Sequence, residues 1–210
     1  GRFGSGDERS ILNPPLETVG GPRLGLQWAG VCNTPYRKYK HFVHEGGART
    51  PFIAHWPAGV PAADRGGFVR EYAYLQDVMA TLLELSGAEY PETAPPHAGR
   101  SFAPLLAGAR TPIHTEPLFW EHEGNAAVRR GDWKLVREYR KPWELYQIRE
   151  DPTELNDLSQ SEPELREELI TLWENWATET GVSFPKRFIM SDALKQRQRQ
   201  RQQRTGGGTP

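Results

Sequence analysis

A single strand signal and a single helix signal stand ahead of the chain's long proline- and glycine-rich break, too little for an α/β core to close on. The strand signal is Pro51-Phe52-Ile53-Ala54-His55-Trp56-Pro57, an apolar run between prolines that reads as a buried strand. Glu45-Gly46-Gly47 before it reads as a tight turn in which glycine takes a positive φ. The helix signal is Leu75, Val78, Met79, Leu82 and Leu85 at helical spacing, with Gly87 as its stop. The break spans residues 88–112 and carries Pro91, Pro95, Pro96, Gly99, Pro104, Gly108 and Pro112. The rest of such a layer is expected before Gly1, and the absence of an initiator Met there is that of a fragment or processed chain. Residues 1–30, rich in Gly, Pro and Ser, read as mostly loop.

Beyond the break the pattern changes to short strands at Leu118–Glu121, Ala126–Arg130, Trp133–Arg137 and Glu144–Gln147, with Arg130-Gly131-Asp132 as a hairpin turn. A helix follows over 161–180. Ser161 and Glu164 have capping-box spacing. Leu165, Leu169, Leu172, Trp173 and Trp176 form its apolar stripe, and Gly181 ends it. Its other face, six Glu against Arg166 alone, reads as a solvated surface. Trp133, Trp143, Trp173 and Trp176 read as core. The expected organisation is therefore 1–112, 113–188 and a disordered Gln/Arg/Gly-rich tail at 189–210.

Composition removes several classes of function. Seven Trp, seven Tyr and eight Phe are too many for a disordered chain, although mean hydropathy is only −0.70. No apolar run approaches the roughly 20 residues of a membrane span. Cys32 is the single cysteine, which excludes an internal disulfide framework or a Cys-rich metal cluster, and it reads as a small buried residue. Net charge is −1, but Lys195–Arg204 holds five cations, leaving −6 elsewhere and no nucleic-acid footprint.

The densest polar stretch is Asn33–Pro51, with Arg37, Lys38, Lys40, Arg49, His41, His44 and Glu45. Such a basic loop at a strand end suits an oxyanion, or is simply solvated. His41-x-x-His44-Glu45 has neither residue order of the zinc-helix motifs, and Gly46-Gly47 would end such a helix. No P-loop, dinucleotide fingerprint or Gly-x-Ser-x-Gly elbow occurs.

Longer stretches are specific. Asn33-Thr34-Pro35-Tyr36-Arg37-x-Tyr39-Lys40-His41 and His44-Glu45-Gly46-Gly47-x-Arg49-Thr50-Pro51-x-Ile53-x-x-Trp56-Pro57 come first. Asp77–Gly87, Glu121–Arg129, Gly131–Val136 and Leu145-Tyr146-x-x-x-x-Asp151-Pro152-x-Glu154-x-Asn156-Asp157-Leu158 follow. In this order, over roughly residues 24–180, they resemble the sulfatase family, specifically its arylsulfatase-like, formylglycine-dependent members in the alkaline phosphatase superfamily. The resemblance implies an α/β, alkaline phosphatase-like fold, of which this is the C-terminal part. The end of the large mixed-sheet domain would be followed by a small antiparallel sheet with a packed C-terminal helix.

The resemblance further implies hydrolysis of sulfate esters by a formylglycine made from Cys/Ser-x-Pro-x-Arg, with calcium holding the site. Cys32-Asn33-Thr34-Pro35-Tyr36-Arg37 is a decoy, its Pro and Arg one place too far along. The family's calcium ligands are likewise expected before Gly1. No metal ligand is therefore assigned to this chain, which by itself is expected to be inactive. Lys40 matches the family lysine that contacts sulfate, and is the catalytic candidate. His41 and His122 join it as substrate-binding candidates, while Arg49 is expected to anchor the turn. The implied partners are a small-molecule or glycan sulfate ester and the missing N-terminal region, with no nucleic acid and no membrane span. A periplasmic or extracellular location follows from family habit. Two other functions stay open at this point: phosphodiester or phosphonate hydrolysis within the same superfamily, and a non-enzymatic partner-binding module.

Overall fold

The structure is a computed structural model that describes residues 26–183. The expected disordered tail at 189–210 lies outside these residues. The elements run α1 (Leu26–Val31), α2 (Glu45–Ala48), a 3-10 turn (Ala62–Asp64), α3 (Leu75–Ser86) and α4 (Ala103–Leu106). Then come β1 (Leu118–His122), β2 (Asn125–Arg130), β3 (Trp133–Arg137), β4 (Glu144–Gln147) and α5 (Pro163–Glu179). The described residues fall into two compact units. Among them, residues 26–50 join 119–183, and Pro51–Leu118 form a second unit. Buried charges, described below, tie the 37–45 segment to the sheet.

In the first unit the strands form one sheet in the order β1-β2-β3-β4. Strands β2 and β3 pair antiparallel through Val128↔Leu135 and Arg129↔Lys134, and β3 pairs β4 through Leu135↔Leu145 and Lys134↔Tyr146. Gly131 makes the expected β2–β3 turn with φ 59°. Side chains alternate across a strand, so Ala126, Val128, Leu135 and Leu145 share one face. They form a core with Leu169, Trp173 and Ala177 of α5. Each such Leu contributes roughly 1.5–3 kcal/mol on burial. Trp173 also donates its indole N–H to the Trp120 carbonyl at 3.1 Å and meets Trp143 edge-on at 5.7 Å. Trp133, Trp143 and Trp176 pack around this core as expected.

Helix α5 starts later than its sequence implies. Pro163 takes the first turn, where its missing N–H costs nothing, so Glu162 becomes the N-cap. Ser161 is thereby one residue too early to cap, and its hydroxyl donates to the Leu158 carbonyl instead. The other end is a Schellman motif. Gly181 has φ 70°, its N–H reaches the Thr178 carbonyl, and the Val182 N–H reaches that of Ala177 at 2.8 Å.

The opposite face of the sheet is also buried, but it is charged. Lys134 is fully buried, with Nζ 2.7 Å from Glu45 Oε1 and 3.0 Å from Glu154 Oε1. Glu154 Oε2 accepts the Glu45 backbone N–H at 2.8 Å. The Asp151–Leu158 motif makes this possible. The Asp151 carboxylate accepts the Leu155 and Asn156 N–H groups, folding the loop so that Glu154 takes a φ of 56°.

Three further expectations change. The end of the segment read as loop, Leu26–Val31, is helical, its last turn closed by Asn33 Nδ2 on the Ala29 carbonyl. Cys32, just past that helix, is exposed rather than buried. Residues 51–56 are irregular, not a strand. Among the described residues no neighbouring strand offers them a ladder, and Phe52 and Ile53 are exposed.

In the second unit α3 forms where its spacing places it, ending at Gly87 with φ 68°. Its buried residues are nonetheless Asp77, Ala80 and Thr81, while Leu75, Met79, Leu82 and Leu85 are exposed. Asp77 is the organiser. Its carboxylate accepts the N–H groups of Tyr74 and Arg100 and pairs with His114 at 2.7 Å.

Removing one partner from a buried ion group leaves the others uncompensated. Lys134→Ala in the full-length protein should therefore lose about 3–5 kcal/mol in urea unfolding.

Candidate functional site

The residues between Tyr36 and Arg49 form one loop and a single helical turn, held down along their whole length. Arg37 donates to the Tyr146 hydroxyl at 2.8 Å and to the Glu154 carbonyl, and lies 3.4 Å from Glu144. Lys38 pairs with Glu138. The backbone turns at Tyr39–Phe42, where the N–H groups of His41 and Phe42 reach the Tyr39 carbonyl. Buried His44 brings Nε2 to 3.1 Å from Glu144. Arg49 stacks on Tyr36 at 4.8 Å and stands 3.7 Å from Glu45, an anchoring role in line with expectation.

Gly46 and Gly47 are required, for a reason other than positive φ. Both lie in α2, and neither is among the glycines of positive φ. A Cβ on Gly46 would stand within 3.0 Å of the Arg37 carbonyl, and one on Gly47 equally close to those of Phe42 and Tyr39. The Gly46 N–H in fact donates to the Arg37 carbonyl at 2.9 Å. The pair of glycines lets the loop backbone lie directly on the helical turn. Its start after His44 also separates His41 from any helix, which disposes of a zinc-helix motif here.

Glu144 is the electrostatic centre beneath the loop. Burial alone would raise its carboxyl, but hydrogen bonds from His44 and Tyr146 and the charges of His44 and Arg37 outweigh it. They bring it from 4.5 to about 2. The Tyr146 hydroxyl is pushed up, by burial first and then by Glu144.

The three candidate residues occupy the top of this assembly. Lys40 is exposed in the Tyr39–Phe42 turn and makes no hydrogen bond or ion pair among the described residues. His41 is half-buried, with Nδ1 2.9 Å from Glu123 Oε2. His122 is exposed at the end of β1, its ring stacked on that of His41 at 6.0 Å and 23°. Thus His41 and His122, far apart in sequence, come together in the fold. The clamp is buried Asn125, whose Nδ2 donates to the backbone carbonyls of both histidines at 2.6 and 2.9 Å. Its Oδ1 accepts the Tyr139 N–H.

One group of metal-capable side chains exists among the described residues: His41, His122 and Glu123, with ligand atoms within 4.8 Å of one another. Calcium takes about 6–8 oxygen ligands, and two imidazoles with one carboxylate do not fit it.

Residues 36–178 match the family described as N-sulphoglucosamine sulphohydrolase, C-terminal. The chain belongs to the sulfatase family. It is 31% identical to an uncharacterized sulfatase of Schizosaccharomyces pombe over 79% of this chain and 31% of that protein. It is 28% identical to N-acetylgalactosamine-6-O-sulfatase of Bacteroides thetaiotaomicron over 68% of this chain and 30% of that one. The solved structure of Ps i-CgsB aligns at TM-score 0.61 and 29% identity, covering 73% of this chain and 34% of that one. That protein is also known in complex with k-i-k-neocarrahexaose. The chain thus spans about a third of the length of each of these three proteins. What it represents is the C-terminal portion of an alkaline phosphatase-like fold, with the small antiparallel sheet and packed helix expected of it.

Sequence reasoning missed Glu144, Asn125 and Glu154 as supports of the site. Asn125 and Glu154 lie in the ordered motifs and Glu144 opens an expected strand, but only the fold shows which loop each one holds.

The depressed Glu144 carboxyl sets a pH dependence. A carboxyl lowered in the folded state stabilises it above the unfolded value and loses that contribution as pH falls through the folded value. Stability of the full-length protein should decline as pH falls from 4.5 toward about 2. Glu144→Gln should flatten this decline and cost on the order of 2 kcal/mol at neutral pH, allowing for solvent screening, as read by urea titrations across pH.

Proposed function

We propose that this chain forms the C-terminal part of an arylsulfatase-type sulfuric ester hydrolase, in which Lys40 holds an oxygen of the sulfate group. The observation that carries this reading is an exposed ammonium, without a partner among the described residues, on a loop whose other cations are nearly all engaged. Sulfuryl transfer builds negative charge on the sulfate and leaving-group oxygens. A fixed cation stabilises that charge without reorganising. Lys40 binds and orients the sulfate and offsets charge at the leaving oxygen.

His41 and His122 contact the group that carries the sulfate. The Glu123 carboxylate at 2.9 Å fixes the His41 ring, and Asn125 fixes both backbones. A sulfated glycan is the substrate class in this reading. It is supported by the relative named N-acetylgalactosamine-6-O-sulfatase and by the complex of Ps i-CgsB with k-i-k-neocarrahexaose. Formylglycine and calcium belong to the same reading through the family resemblance. When bound, calcium would stabilise charge on the sulfate, held by residues other than those described. A periplasmic or extracellular location goes with it. No helix among the described residues is long and apolar enough to cross a membrane.

The test is kinetic, on the full-length protein. Lys40→Ala should lower kcat/KM toward an aryl sulfate and a sulfated oligosaccharide by at least about 100-fold at unchanged melting temperature. His122→Ala should act mainly on the oligosaccharide, through KM. Full activity in Lys40→Ala, or turnover of bis(4-nitrophenyl) phosphate in preference to every sulfate ester, would overturn the reading.

A further inference from the structure

We propose that His41, His122 and Glu123 form a surface site for one divalent transition-metal ion of the zinc class. This proposal stands on side-chain geometry, and it shares His41 and His122 with the substrate contacts proposed above. It is also distinct from calcium, for which this donor set is unsuited.

The chemistry of the donors points to such an ion. Neutral imidazole and carboxylate are the ligands that zinc and its neighbours take in mixed nitrogen–oxygen sites. Around an ion with bonds of about 2.0–2.2 Å, ligand atoms are separated by roughly 3–4 Å. Here the His41 Nδ1 and Glu123 Oε2 atoms are 2.9 Å apart, and one atom from each of the three residues falls within 4.8 Å of the others. Small side-chain rotations close the set. The rings of His41 and His122 stand 6.0 Å apart, centroid to centroid, with their planes 23° apart. Glu123 and His122 are partly or fully open to solvent, so an ion has an entry path and water completes its coordination.

The scaffold beneath the ligands is rigid, which separates this group from an accidental cluster of surface side chains. His41 comes from the Tyr39–Phe42 turn, and His122 and Glu123 from the end of β1 and the β1–β2 connection. One buried amide, Asn125, holds both histidine carbonyls at 2.6 and 2.9 Å. Glu121 Oε1 accepts the Gly124 N–H at 2.8 Å, closing the connection that presents Glu123 with φ 54°. In the ion-free state His41 and Glu123 share a hydrogen bond. Binding exchanges it for two bonds to the ion, with the Nδ1 proton released to solvent and the neutral ring carrying its proton on Nε2.

The test is titration of untagged full-length protein with Zn²⁺ by calorimetry, in buffer saturated with calcium so that any calcium site stays filled. Co²⁺ absorption serves as a second probe of nitrogen–oxygen coordination. One equivalent of Zn²⁺ should bind to the wild type. His122→Ala and Glu123→Gln should each weaken it by at least about tenfold, and His97→Ala should leave it unchanged. His122 is exposed and Gln matches Glu in shape, so melting in chelator should be the same for all variants. The proposal fails if the wild type shows no saturation in the millimolar range. It fails equally if both variants, folded by that criterion, bind Zn²⁺ as the wild type does.

Discussion

A lysine ammonium with no solvent contact decides the arrangement of the first unit. Lys134 lies on the face of the sheet turned away from α5, and its charge is met by Glu45 from the loop helix and Glu154 from the loop after β4. Desolvating an ammonium costs several kcal/mol unless partners of good geometry surround it. The two loops cannot drift from the sheet without exposing that cost, because each brings one of the carboxylates. The Glu154 carboxylate also accepts the Glu45 N–H, locking the loops to each other as well as to the lysine. The apolar face supplies most of the burial, while the charged face fixes where the loops lie.

The placement of Lys40 follows from this lock through a short chain of contacts. Glu45 begins α2, and the two glycines after it bring the backbone of residues 37–42 into direct contact with the helical turn. Arg37 closes the arrangement from below, against Tyr146 of β4 and the carbonyl of Glu154. Stretches of sequence more than 100 residues apart thus form one structural device. The Glu45-Gly46-Gly47 motif, the Glu144–Tyr146 pair and the Asp151–Leu158 motif have a common purpose, to hold one turn still.

Strands β1–β4 and the apolar stripe of α5 were legible because periods of 2 and 3.6 residues report directly on burial. Lys40, His41 and His122 were singled out through ordered motifs, and the fold sets the two histidine rings side by side. What was not legible depends on partners distant in sequence. Pro51–Trp56 has the composition of a buried strand, but a strand needs a ladder, and none is present among the described residues. Helix α3 follows its apolar spacing, yet buries the face that holds Asp77, because three groups converge on that carboxylate. Gly46 and Gly47 look like turn formers, and only the packed loop shows that they are needed for close approach. Lys134 alternates in β3 like a solvent-facing residue, and nothing local reveals that the second face of the sheet is covered.

The division of labour among the cations follows from their surroundings. Arg37 and Lys134 are spent on carboxylates and carbonyls, and Lys38 on Glu138. Their charges are neutralised locally and contribute little field at the surface. Lys40 is one residue from Tyr39 and His41, whose backbones the same network fixes, yet its own ammonium has no partner among the described residues. An oxyanion arriving there meets a cation on an already ordered backbone, so little main-chain entropy remains to be lost on binding. The electrostatic gain then goes into the contact itself. A lysine on a mobile surface loop would carry the same charge and lose much of that advantage.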